Sequence, residues 1–433
     1  MRFLPLLAIP LIAAGCGSRS DVLSQEPGAA GDTGTGGTGG TGGSTGTTAT
    51  TGTPTTGPAA CKALLVQPTF LADLVNKPDR APDLGLLPDG DAALVALGGY
   101  PDELSDVVIS PTGAFDAWPP KLAPTTVFAG QAVDYALGPG PDGPVALIQT
   151  GAPPGVLFTT ALYPALGELI KPALSPGFLL FATGVKGRFL HATSPYVAGF
   201  YQVDVASYEP SSLPQSESPT LCTSSPGLGA AVPVEGGFLS VFTAPKVPES
   251  QCDGGFDKPP LSALFYRYTI PPGAGSSLEG KSGAVLSFPE PLDGLHLAPA
   301  DFGAWAAFHT DGSTSRTAAP ITVLRVDPAG SPISPGEQLP VSPSGVVFQS
   351  FAIAAVGPRL AVAWIDAIDP SAPTLSIQLV EPDGTLGAAT SIPTNDAWYK
   401  DHLRLLGSPQ GDKLLLTWET GDTAALARID CLD

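Results

Sequence analysis

The sequence predicts an all-β fold, a seven-bladed β-propeller of four-stranded antiparallel blades, on three observations. First, 52 glycines and 49 prolines in 433 residues approach a quarter of the chain. Both residue types break helix interiors, so a mainly helical protein is excluded. Second, short apolar runs recur seven times, at Ala93–Leu97, Val145–Ile148, Phe189–Leu190, Phe238–Phe242, Ala304–Phe308, Leu360–Trp364 and Leu414–Trp418. They lack the length and the 3.6-residue period of a helix and are flanked by turn residues, as buried strands are. Third, an aliphatic-x-Pro-x-Gly turn follows several of these runs, at Ile109–Gly113, Val326–Gly330 and Val380–Gly384. Looser versions stand at Leu162–Gly167, Tyr208–Ser212 and Ile270–Gly273, so the spacing is about 54 residues. Proline suits the φ of a type I turn and glycine the positive φ that follows it, so each motif closes a hairpin. A common period across the whole domain favours a propeller over stacked sandwiches, which need none.

One blade shows the expected unit in full: Phe351–Val356, Arg359–Ile365, Thr374–Val380 and Thr385–Ile392. The last blade offers only His402–Leu406, Lys413–Trp418 and Ala424–Cys431 before the chain ends. A spare strand, Cys61–Phe70, opens the domain and is expected to complete that blade and close the ring.

Before the ring comes an address. Arg2, the apolar stretch Phe3–Ile12 and the small residues Ala13, Ala14 and Gly15 lead directly to Cys16. This resembles the lipobox of bacterial lipoproteins. The resemblance implies a signal peptide over residues 1–15, acylation of Cys16 and, with Gly17 rather than Asp behind it, sorting to the outer membrane. Residues 16–60, rich in Gly, Thr and Ser, have too little apolar surface to fold. They read as a tether with a reach of roughly 35–40 Å. Residues 61–433 form the propeller domain. No stretch has 18 uninterrupted apolar residues, so no transmembrane helix is expected. With Cys16 lipidated, four cysteines remain. Ring closure would bring Cys61 beside Cys431, leaving Cys222 to pair with Cys252; an extracytoplasmic location permits both bonds.

Forty acidic and 20 basic residues give a net charge of −20, nearly all of it within residues 61–433. Nucleic acids and anionic surfaces demand basic patches, so neither is an expected partner. Gly275–Ser282 matches the phosphate-loop pattern. A strand pattern rather than a helix follows it, so no nucleotide is expected. No calcium loop, zinc motif or nucleophile elbow occurs; no cofactor, metal or catalytic residue is assigned. The four histidines, His191, His296, His309 and His402, are scattered.

In propellers the connections between second and third strands, and between one blade and the next, share a face. Here those segments carry Tyr100, Asp102, Glu103, His309, Asp311, Asp366, Asp369, Trp398, Tyr399, Glu419 and Asp422. Aromatic rings beside carboxylates suit sugar stacking or a protein epitope. The leading expectation is a monomeric, membrane-anchored binding scaffold for a protein or glycan. The alternatives are a carbohydrate-active hydrolase or lyase with carboxylates at the channel, and a structural envelope protein without a small ligand. Leu94–Tyr100 and Asp106–Trp118, with Gly98-Gly99 and Trp118, resemble a kelch repeat. Lipobox, tether and ring together are similar in style to surface lipoproteins of myxobacteria.

Overall fold

The computed structural model describes residues 61–65, 81–98, 105–151, 157–162, 174, 177–185, 188–197, 200–209, 215–223, 228–244, 262–272, 277–310, 321–333, 339–340, 348–366, 374–392, 403–420 and 423–431. They contain strands and turns and no helix.

The strands form a seven-bladed propeller. The innermost strands are Asp83–Leu86, the second half of Thr125–Gly138, Phe178–Val185, Gly229–Val234, Leu292–Ala300, Phe348–Val356 and Arg404–Gly407. Each packs against the innermost strand of the next blade, and Arg404–Gly407 packs against Asp83–Leu86, which closes the circle. Thr125–Gly138 is shared: its first residues are the outer strand of blade one, and the part from Ala132 onward is the inner strand of blade two. Blade two shows three strands among the described residues, and blade three carries an additional short strand, Tyr196–Val197.

All seven apolar runs are the second strands of their blades. The hydrophobic clusters explain why these strands read as continuous runs. Among the described residues there are seven clusters, one at each blade–blade interface. Leu414, Leu416 and Trp418 face blade six, whereas Leu415 faces blade one. A strand covered on both faces needs apolar side chains at both parities, so the usual alternation is lost. Trp305, Trp364 and Trp418 are packing residues of these interfaces, each almost fully buried.

The repeated turns have the geometry their residues require. Gly330 N donates to Asp327 O at 2.9 Å, and Gly384 N donates to Glu381 O at 2.8 Å. Both glycines have positive φ, 84° and 89°, a region that costs side-chain-bearing residues. The same four-residue turn also closes hairpins between first and second strands, at Leu87–Gly90 and Ser408–Gly411.

Blade six departs from the expected unit in its outer strand, which is Thr390–Ile392 and not Thr385–Ile392. Leu386 bridges back to Val380, and Gly387 N donates to Leu379 O at 2.9 Å. These local bonds hold the preceding residues in a tight return, so the ladder begins only beyond them.

The seam between blades seven and one is closed in several layers. Cys61–Leu65 pairs antiparallel with Thr423–Cys431, from Cys61 opposite Cys431 to Leu65 opposite Ala427. Toward the centre, Arg404 Nε makes an ion pair with Asp83 Oδ1, joining the two innermost strands. Thr417 Oγ1 donates to Pro82 O at 2.6 Å. Farther out, Arg428 Nη1 donates to Ala114 O at 3.1 Å, and the guanidinium lies 5.5 Å from the Trp118 ring centroid. Gly407 is required where blade seven meets blade six, because a Cβ there would collide with Ala355 O.

Asp83 is 7% exposed and Arg404 33%. Replacing Arg404 with Ala removes this ion pair from a carboxylate that has little access to solvent. The expected loss is about 1–3 kcal/mol, read as a lower urea midpoint with an unchanged slope.

Candidate functional site

The two ends of the ring carry different connections. At one end first and second strands are joined by tight turns, as at Val234–Gly237 and Val356–Arg359. At the other end the second strands finish at Gly98, Ala244, Thr310, Asp366 and Thr420. The third strands resume at Ser105, Ser262, Thr322, Thr374 and Thr423. The segments with the expected ligand-face residues begin and end there. Tyr100, Asp102, Glu103, Asp311, Asp369, Trp398, Tyr399 and Asp422 themselves lie outside the described residues. Asp366 and Glu419 are strand residues, with backbones opposite Thr374 and Ala424.

His309 is at this end, but it is 6% exposed. The strand runs through Thr310 rather than stopping at Phe308, so His309 is a ladder residue opposite Gly294. Its ring is 6.3 Å from Phe351. His296, on the innermost strand of the same blade, meets the Phe351 ring edge-on at 4.6 Å. Two of the scattered histidines therefore share one aromatic neighbour at the inner edge of blades five and six. Burial, and secondarily the Arg404 charge, lowers the His296 pKa to about 4. His402 and Cys252 lie outside the described residues, and no group of three or more His, Cys, Asp or Glu among the described residues could hold a metal ion.

Blade three supplies a feature that sequence reasoning did not single out. Pro195 N carries no hydrogen, and the ladder is interrupted after Ser194. The chain resumes as Tyr196–Val197, which pairs with Phe200 and Tyr201 beyond the blade proper. Gln202 N donates to Pro195 O at 2.9 Å and anchors this small extension. Tyr196 is 64% exposed, and Phe178, at the start of the inner strand, is 54% exposed. Both rings flank Tyr201: Phe178 at 5.8 Å and 58°, Tyr196 at 5.0 Å and 59°. The three rings form an exposed angled platform at the end of the ring where second strands pass to third strands. A signal was available in Pro195-Tyr196-Val197-Ala198-Gly199-Phe200-Tyr201, a glycine bracketed by tyrosines. Recognising the platform also required knowing that Phe178 starts the neighbouring strand.

The second half of the phosphate-loop match, from Glu279 onward, is a strand. Glu279–Ser287 pairs with Ser262–Thr269, so Gly280, Lys281 and Ser282 are ladder residues opposite Tyr268, Arg267 and Tyr266. The ladder begins at Glu279, within the motif. An extended strand points successive N–H groups to opposite sides, so it does not gather them around one phosphate as a helix N-terminus does.

No protein-family model matches the sequence, and no curated protein matches it. Solved structures with a similar fold are distant. The β-propeller domain of Cps50 (Swd1) from Myceliophteria thermophila is 12% identical, with 81% of this chain and 96% of that chain covered and a TM-score of 0.42. A protein of unknown function from Dyadobacter fermentans is 13% identical, with 86% and 99% covered and a TM-score of 0.46. Trypanosoma rangeli sialidase is 10% identical, with 82% and 55% covered and a TM-score of 0.43. The propeller assignment itself stands on the strand order and the closed circle of inner strands.

His191, on the second strand of blade three, is fully buried against Tyr208, and burial lowers its pKa to about 3. The unfolded chain binds a proton near pH 6.5 that the folded protein refuses. The stability this confers is complete above pH 6.5 and is lost as the pH falls toward 3. Relative to His191→Gln, the native protein should lose an additional ~1.4 kcal/mol per pH unit between pH 6 and 4. Urea unfolding at several pH values measures the difference; parallel curves for the two proteins would contradict it.

Proposed function

We propose that this protein is an extracytoplasmic propeller, held at the outer membrane by lipid on Cys16. It acts as a monomeric binding scaffold for a protein or glycan partner. The observation that carries the binding role is the Phe178–Tyr201–Tyr196 platform, with two rings more than half exposed. Solvent-exposed aromatic rings at the mouth of a rigid scaffold are favoured anchors for recognition. The seven apolar interfaces keep the ring stiff, so binding need not pay to order the platform. Acids and aromatics in the connections of other blades, including Asp102, Trp398 and Tyr399, are proposed to share this face.

Anchoring and covalent closure complete the proposal. Residues 17–60 serve as the tether. Cys61 stands directly opposite Cys431 in an antiparallel ladder. Opposed residues in such a ladder have Cα atoms about 4.5–5.5 Å apart, within the range a disulfide spans. Cys222 then pairs with Cys252.

Mass spectrometry of detergent-extracted protein, digested without reduction, examines both features. The first peptide of the mature chain should begin at Cys16 and carry acyl chains. A second species should join the Cys61 and Cys431 peptides. An unmodified Cys16, or Cys61 joined to Cys222, would refute the corresponding feature.

Partner recognition is tested by cross-linking the intact protein on cells and comparing partners with those of two double variants, Phe178→Ala/Tyr196→Ala and Trp398→Ala/Tyr399→Ala. Loss of the same partners from both supports a single binding face. Unchanged partners in both would remove the reading.

A further inference from the structure

We infer that the Phe178–Tyr201–Tyr196 platform is a subsite for a neutral glycan, an inference that rests on the binding role proposed above. Three observations point to this ligand class. Neighbouring rings are inclined at 58° and 59° with centroids 5.8 and 5.0 Å apart. A pyranose can therefore lie with its C–H face on one ring and its edge against the next. The two tyrosines bring hydroxyl groups that both donate and accept, the pairing that sugar hydroxyls need.

Size is the second observation. Phe178 and Tyr196 are 54% and 64% exposed, so the open aromatic area is on the order of 250 Å². A stable protein interface needs roughly 800 Å² on each partner. The platform by itself matches one or two sugar rings.

Charge is the third. A net charge of −20 repels uronates, sulfated sugars and other polyanions at long range, which leaves neutral glycans as the complementary class.

Affinity electrophoresis of the full chain tests the assignment, in native gels containing dextran, laminarin, galactomannan or xylan, with polygalacturonate as the anionic comparison. At least one neutral polysaccharide should slow the native protein, and polygalacturonate should not. Tyr196→Ala and Phe178→Ala should each weaken the retardation about tenfold, whereas Tyr196→Phe should keep most of it. Circular dichroism checks folding; if Phe178→Ala does not fold, Tyr196→Ala and Tyr196→Phe carry the comparison. No retardation by any neutral polysaccharide, or retardation that survives Tyr196→Ala, overturns the inference. Absent retardation with platform-dependent protein capture intact overturns the glycan assignment and leaves the binding role standing. Loss of both removes both.

Discussion

A ring of blades is stable only if the last blade meets the first. Every blade here buries apolar side chains on both faces, and each hydrophobic cluster is built from two consecutive blades. An open seam would expose the blade seven–blade one cluster, including Leu94, Phe115, Leu415 and Leu426. It would also leave the backbone edge of Thr423–Cys431 unpaired, and an unpaired edge templates wrong pairings. Pairing of Cys61–Leu65 covers that edge and completes the last blade of the closed ring. The Asp83–Arg404 pair and the Arg428 contacts to Ala114 and Trp118 reinforce the seam at different radii. Because the strand that completes blade seven comes from the start of the domain, closure joins residues more than 300 positions apart. That makes the seam costly in loop entropy to form.

Closure also determines what the ring can present. With backbone groups and apolar faces used in holding blades together, recognition falls to the strand ends and connections. The inner edge adds little freedom: Phe351 wedges between His296 and the Gly294 backbone, and His309 is packed beside it. The Tyr196–Tyr201 extension of blade three is different. It continues a hairpin past the ladder, so its rings have solvent on one side and a fixed backbone on the other.

The architecture was legible because it depends on local, repeated chemistry. A buried second strand must be apolar at both parities, and a Pro-x-Gly turn must put glycine at positive φ; both leave marks in single segments. Closure by Cys61–Leu65 was legible by counting, since the last blade lacked one strand. The outer strand of blade six was not, because the Leu386 bridge back to Val380 follows from the return of the chain rather than from any residue preference. His309 read as a loop residue because the apolar run ends at Phe308, while the strand extends to Thr310. The aromatic platform was hidden for a related reason. Phe178, Tyr196 and Tyr201 belong to three strands, and only the sheet order places them together.

If pairing of the first strand of the domain holds the ring closed, losing that strand must loosen both sides of the seam. Hydrogen exchange with mass spectrometry, on the full chain and on a variant lacking residues 61–65, tests it most directly. The variant should lose protection in Thr423–Cys431 and in both strands flanking the seam, Asp83–Leu86 and Arg404–Gly407, with a lower thermal midpoint. Exchange that stays as slow in those three strands as in the native protein would contradict it.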